Sequence, residues 1–338
     1  MKPKLLVVEL WGLGDLLIAT PFLQAASKKY AVTLLAKPYA KDLQARFWQD
    51  VEVAPFVAPW TAFKHKYQMF SWPWREILAL RKLRKRRFDA GLSARWDPRD
   101  HLLLMLLRVK MRLGFPRVKS QVFLTHSLTR PDPRVHRYEH WRVVARALDI
   151  ELPARQKLPI PTPRSGGEIL VHTGAGQSIR VWPLPRYLHL IRRLRDENHR
   201  VQVACDPEQR NWWLAAGESA VITPRTVSEL FSIVDRAGAF IGNDSGPGHL
   251  AAFCGVPTFT LFGPQLPEWF APLHQAAQWF EGKACPYKPC SDYCRFPEPY
   301  CLTNMSEEEV WTRVEWFIAA QPLNRVTKAP SPLTAQAR

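Results

Sequence analysis

The chain of 338 residues is 46% hydrophobic and 23% charged, carries a net charge of +17 and has six cysteines. Its length suits two domains with sizeable cores. Its apolar runs, 5–10 and 102–107 among them, fall short both of a secretory leader and of the roughly 20 residues a membrane span requires, so a cytoplasmic protein with reduced or metal-bound thiols is expected.

The hydrophobic pattern predicts strands at 5–10, 32–36, 51–57 and 89–93, with helices at 16–28 and 74–86. Strands alternating with helices imply a parallel sheet covered by helices. Residues 152–167 (LPARQKLPIPTPRSGG) are rich in proline and glycine, which deny helix continuation and ladder hydrogen bonds, and they place a linker at 156–167. The alternation then restarts, with strands at 168–173, 200–205, 239–243 and 257–262 and helices at 185–197, 208–216, 226–236 and 248–253. Ser306 and Glu309, three apart, form a capping box that opens a last helix over 306–319. The expected fold is α/β, with Rossmann-like domains at 1–155 and 168–320 facing across a cleft. Ligands would sit beyond the carboxyl ends of the strands. The polar tail 321–338 is expected to be disordered.

The charge is lopsided. Residues 1–150 hold 28 basic and 12 acidic side chains and the remainder 19 and 18. Either the first half meets nucleic acid, anionic lipid or a phosphorylated acceptor, or it presents a solvated basic face.

Three strand ends carry chemistry. After 5–10 comes Trp11-Gly12-Leu13-Gly14-Asp15, where Gly12 and Gly14 allow a tight turn. Asp15 falls at the helix start, as a cap or as a carboxylate available for general-base work. A dinucleotide fingerprint would place a third glycine where Leu17 stands, which disfavours a dehydrogenase. After 168–173 comes Thr173-Gly174-Ala175-Gly176-Gln177-Ser178, then Arg180 before Trp182-Pro183. Such a turn exposes backbone N–H groups, and the guanidinium can take a phosphate. After 239–243 comes Asp244-Ser245-Gly246-Pro247-Gly248-His249, a polar, glycine-rich opening of a helix suited to an anion. His249 is either a ligand or a buried structural histidine.

In order and spacing, Gly-Leu-Gly-Asp, the turn with Arg180 before Trp182-Pro183, and Asn-Asp-Ser-Gly-Pro-Gly-His-Leu-Ala-Ala followed by Gly-Val-Pro-Thr and Leu-Phe-Gly-Pro resemble the lipopolysaccharide heptosyltransferase family over residues 4 to about 315. The resemblance implies a two-Rossmann-domain (GT-B) glycosyltransferase that takes the acceptor on its N-terminal domain and a nucleotide sugar on its C-terminal one. It also implies inverting transfer that needs no metal cofactor, from ADP-heptose to a lipopolysaccharide-core acceptor. By the same match Asp15 is the base and Arg180 the basic residue at the donor phosphates. Thr173, Gly174, Ala175 and Gly176 form one donor turn, and Asp244, Ser245, Gly246 and His249 the other. Glu208 stands where the family meets the ribose, although Cys205 and Asp206 replace the usual glycines before it.

Two further features stand outside the donor turns. Cys285, Cys290, Cys294 and Cys301 could hold a structural metal or remain thiols. Arg84, Arg86, Arg87, Lys110 and Arg112, with Gly12 and Gly14 nearer the base, are candidates for an anionic glycolipid acceptor and an anionic membrane surface. Trp60, Phe63, Tyr67, Phe70, Trp72 and Trp74 lie in the same stretch. The enzyme would then work as a peripheral protein on the inner face of the cytoplasmic membrane. Alternatives are a transferase of this fold with another nucleotide sugar or a protein acceptor, and a nonenzymatic nucleic-acid binder. No recognisable nucleic-acid module supports the latter, so nucleic acid is not an expected partner.

Overall fold

The computed structural model describes residues 2–61, 74–159, 161, 166–290 and 293–323, and the chain divides into two compact units, Met1–Leu158 and Pro159–Arg338. Phe63, Tyr67, Phe70 and Trp72, part of the expected linker, and the tail from 324 lie outside the described residues.

The first unit runs β1 (Lys4–Val8), α1 (Leu13–Lys29), β2 (Ala31–Ala36), α2 (Ala40–Phe47), β3 (Val51–Pro55), α3 (Trp74–Lys85), β4 (Ala90–Leu92), α4 (Pro98–Leu106), β5 (Met111–Gly114), β6 (His126–Ser127) and α5 (Arg137–Arg146). Its six strands pair in parallel in the order β3-β2-β1-β4-β5-β6. Central β1 is a continuous apolar run because it is covered on both faces; Leu5, Leu6, Val7 and Val8 are fully buried. From β1 the chain builds outward to β2 and β3 on one side and, later, to β4, β5 and β6 on the other. The order therefore reverses between β1 and β4, where a parallel sheet opens a crevice beyond its carboxyl ends.

The second unit runs β7 (Glu168–His172), α6 (Leu184–Asp196), β8 (Val201–Ala204), α7 (Arg210–Ala215), α8 (Val227–Val234), β9 (Ala237–Asn243), α9 (Gly246–Phe253), β10 (Thr258–Phe262), α10 (Pro267–Phe270), β11 (Gln278–Glu281), α11 (Tyr300–Thr303) and α12 (Glu307–Ala319). Its five strands are parallel in the order β11-β10-β9-β7-β8, so the reversal lies between β7 and β9. Its core gathers Val171, Ile191, Trp213, Phe259, Val314 and Phe317. Ser306 and Glu309 form the expected capping box on α12.

Two parallel sheets with helices match the α/β expectation. The pattern missed α2, α4, α5, α10, α11, β5, β6 and β11. It also started α1 three residues late, because Gly12 rather than a later residue caps it. The helix expected at 208–216 is split into a 3-10 turn, Pro207–Gln209, and the six-residue α7.

Candidate active site

In the first unit the crevice between β1 and β4 brings 9–15 beside 93–100. Gly12 caps α1, Asp15 is the third helical residue, and its Oδ2 accepts the Gly12 N–H at 3.1 Å, so Asp15 completes the helix cap from inside. Its Oδ1 accepts from Arg95 Nη1 at 2.6 Å, and the Arg95 guanidinium lies over the Trp11 ring, 4.5 Å from the centroid. Burial would raise the Asp15 carboxyl, but Arg95 and the Gly12 N–H outweigh it and hold it below the usual carboxylate range. The residue is thus ionised at neutral pH and only partly buried.

Two more carboxyls face the same guanidinium. Glu9, 2% exposed at the end of β1, accepts the Trp11 N–H at 3.3 Å. Burial and then the charge of Asp15 push it up to about 8. Asp100, fully buried in α4, accepts from Ser93 Oγ at 2.9 Å and is raised to about 7 by burial and by Asp97. One arginine among three carboxyls leaves Asp15 as the ionised partner. Behind it, Tyr39 donates its hydroxyl hydrogen to the Trp11 carbonyl at 3.0 Å and fixes the turn.

The proton on Glu9 has a measurable consequence. The native state keeps it to about pH 8, whereas the unfolded chain loses it near the ordinary value of 4.5, so this group lowers stability as pH rises between the two. Glu9→Gln should therefore be more stable than the parent at pH 8 in urea unfolding, with the margin closing toward pH 5. A margin that widens toward acid would show that Glu9 is ionised in the fold.

In the second unit the crevice between β7 and β9 gathers the two turns. Asn243, fully buried at the end of β9, ties them together. Its Oδ1 accepts from Trp182 N at 3.0 Å and from the Tyr187 hydroxyl at 2.9 Å, and its Nδ2 donates to the Thr173 carbonyl at 2.9 Å. Thr173 Oγ1 is engaged by Gln209 and Trp213, so its hydroxyl shapes the turn from within. Gly174 donates its N–H to His172 Nδ1 at 3.2 Å, and a Cβ there would come within 2.3 Å of the Asp206 carboxyl, which is why glycine stands at this position. At Gly176 a Cβ would meet only open space, and Ala175 is partly exposed. Arg180 ends a 3-10 turn and reaches Asp244 Oδ2 with Nη1 at 3.4 Å; its Nε is buried with no hydrogen-bond partner among the described residues. Ser245 caps α9, Gly246 is its first residue, and Ser245 Oγ is also without a partner there. His249 and Asp244 are buried, whereas Glu208 is exposed on its 3-10 turn.

The basic residues fall elsewhere. Phe88, which precedes β4, and Lys110, which precedes β5, are at the amino end of the sheet, opposite to Asp15. There Leu78, Arg81, Arg84, Arg87 and Arg108 line a recess of about 780 Å³. Arg86 pairs with Glu52, Lys110 with Asp89 at 2.8 Å, and Arg112 donates to the carbonyls of Phe123 and Val109. Three of the five candidates are therefore already engaged, and the group is remote from Gly12, Gly14 and Asp15.

All six cysteines are free thiols, and among the described residues no group of three or more His, Cys, Asp or Glu side chains is placed to hold a metal. Cys290 and Cys294 lie within thiol hydrogen-bond reach of the carbonyls of Tyr287 and Glu298, and burial pushes Cys301 to about 11. Among the described residues the thiols are not gathered as a metal's ligands, so the structural metal that their spacing left open is without support.

Sequence reasoning missed Glu9, Arg95, Asp100 and the clamp made by Asn243. The signals were a lone carboxylate closing an apolar run and a polar residue closing a fully buried strand.

The family model for glycosyltransferase family 9 (heptosyltransferase) matches residues 78–299. Lipopolysaccharide heptosyltransferase 1 of Pseudomonas aeruginosa is 28% identical over 214 residues, 55% of this chain and 60% of that protein. Lipopolysaccharide heptosyltransferase 3 of Escherichia coli K12 is 30% identical over 104 residues, 28% of this chain and 30% of that protein. The chain thus spans less than two thirds of the length of either curated relative. Among solved structures, E. coli heptosyltransferase WaaC with ADP superposes with a TM-score of 0.70 at 18% identity, over 93% of this chain and 99% of that one. E. coli ADP-heptose lipopolysaccharide heptosyltransferase II gives 0.68 at 16%, over 94% and 98%. At these identities the superpositions speak for the fold.

Proposed function

The chain belongs to glycosyltransferase family 9 (heptosyltransferase), and from that premise we propose that it transfers heptose from ADP-heptose to a lipopolysaccharide-core acceptor at the inner face of the cytoplasmic membrane, with inversion and without a catalytic metal. The observation that carries this reading is Asp15, a carboxylate kept ionised by Arg95 at the crevice of the first sheet. The acceptor is assigned to the first unit. Its hydroxyl gives its proton to Asp15 while the oxygen attacks the anomeric carbon from the face opposite the diphosphate. The bond from that carbon to the leaving oxygen breaks with its electron pair on the nucleoside diphosphate, and one displacement inverts the centre.

The donor is assigned to the second unit. Backbone N–H groups of Ala175 and Gly176, the start of α9 and the Ser245 hydroxyl suit the diphosphate. The Arg180 guanidinium suits the charge that grows on the leaving group, in place of a divalent cation. The basic recess beside α3 suits the phosphates of an anionic bilayer, about 1 kcal/mol for each residue that reaches the surface.

Calorimetry with ADP, UDP and GDP tests the donor assignment. ADP should bind selectively, and Arg180→Ala should weaken it about 10- to 100-fold, the loss expected for a hydrogen bond to a charged group. Equal binding of all three nucleotides, or an unchanged ADP affinity in the variant, removes the assignment.

A further inference from the structure

β11 is an edge strand of the second sheet, and α12 packs beside it. Between the two lies a recess of about 480 Å³. Buried Phe259 and half-buried Phe280 line it together with two tryptophans, Trp279 and Trp316, that are 43% and 76% exposed. Phe259 is the second residue of β10 and Gln278 the first of β11, so the recess opens at the amino half of these parallel strands. The donor turns follow the carboxyl ends of β7 and β9, at the opposite end of the sheet.

The polar groups of the recess are planar and held in place. The Arg313 guanidinium lies over the Phe280 ring, 4.6 Å from its centroid, which keeps it flat and leaves its edge free. Glu309 is fixed through Oε2, which accepts the Ser306 N–H at 3.0 Å and the Ser306 hydroxyl at 2.7 Å. Gln278 adds an exposed amide. The two charged groups that line the recess are of opposite sign, so it does not select an anion. An acyl chain seated there would strip water from both charges without replacing it, and a stacked nucleic-acid strand needs a basic groove. A pyranose suits what is present. Its C–H faces lie against the electron-rich indole faces, and its rim hydroxyls pair with amide, guanidinium and carboxylate. The volume is that of a small-ligand pocket.

We propose that Trp279 and Trp316, with Gln278, Glu309 and Arg313, form a saccharide-binding site at the outer edge of the second unit, separate from the donor turns, that takes a short neutral glycan. The indoles supply the stacking surface and the three polar side chains read the hydroxyls. The inference depends on neither the donor nor the acceptor assignment. A site of this kind holds the protein on sugar-bearing material while the crevices at the carboxyl ends of the strands stay open.

Saturation-transfer NMR and calorimetry on the full chain test this with maltose, cellobiose and lactose, and with cyclohexanol as an apolar ring lacking the rim of hydroxyls. At least one disaccharide should bind at millimolar concentration, more tightly than cyclohexanol. Trp316→Ala, at an exposed side chain, should weaken that binding about tenfold or more, the usual loss for an aromatic anchor, with Tm and ADP affinity unchanged. Trp316→Phe should restore most of it, and Trp279→Ala combined with Trp316→Ala should abolish it. The site is overturned if no disaccharide binds, if cyclohexanol binds more tightly, or if binding survives the double change. It is equally overturned if sedimentation shows the indoles joining two copies of the chain in place of a sugar. A parent protein that holds the disaccharide but no nucleotide would remove the donor assignment and leave this site standing.

Discussion

Asp15→Asn should lower kcat by about 10²- to 10⁴-fold, the range for a lost general base, while ADP binds as before. The residue is tied at both oxygens, to the Gly12 N–H and to Arg95. Asparagine can keep the first contact through its amide oxygen, so the start of α1 should survive and a near-native Tm serves as the control. What it cannot do is accept the hydroxyl proton. Because KM then reports binding without chemistry, the loss should fall on kcat rather than on KM. A companion variant gives the sign of the electrostatics. Arg95 holds the Asp15 carboxyl below its usual range, so Arg95→Gln should move the acid limb of the rate profile upward in pH. Normal transfer by Asp15→Asn would falsify the base assignment outright.

Asn243→Ala should cost about 3–5 kcal/mol, read as a fall in Tm of roughly 10 °C. The side chain is fully buried and takes the Trp182 N–H and the Tyr187 hydroxyl while donating to the Thr173 carbonyl. Removing it leaves two buried donors short of their acceptor, and each such group costs about 1–3 kcal/mol. The carbonyl is partly spared, since Gln209 Nε2 also donates to it at 3.1 Å. Asn243→Asp should fare little better, because it discards the amide donor and sets a buried carboxylate against the Thr173 carbonyl. The same contacts hold the β7 turn against the β9 turn, so ADP affinity should fall with stability. A thermal shift below about 2 °C would mean that water replaces the amide and that the clamp is not a source of rigidity.

Much of this architecture was legible because parallel strands write themselves as apolar runs. β1, β7, β9 and β10 were each found from their buried residues, and the polar residues just past them then marked both crevices. The elements that were missed had weaker writing. β6 is two exposed residues, β5 carries Arg112 in its middle, and α5 spaces Tyr138, Trp141 and Val144 among charged neighbours. α4 did announce itself through Asp97-Pro98, a capping residue before a first-turn proline, but its apolar stretch was weighed only as a membrane span. Partners of Asp15 could not be read at all. Arg95 is 80 positions from Asp15, and only the adjacency of β1 and β4 brings them together. The basic residues illustrate the opposite error. Their number pointed to an anionic partner, but number does not reveal which end of a sheet they occupy or which are already paired.

The two outer glycines of the Gly174-Ala175-Gly176 turn have different prospects in evolution. Gly174 is walled in by Asp206, so even a methyl group there demands a rearranged neighbour, and drift at that position is closed. Two residues on, Gly176 borders empty space, and any side chain can be tried without disturbing the fold. On the proposed donor assignment, a lineage that needed a different activated sugar would find its raw material at 176, where a new hydroxyl or charge could be tried without cost to the scaffold.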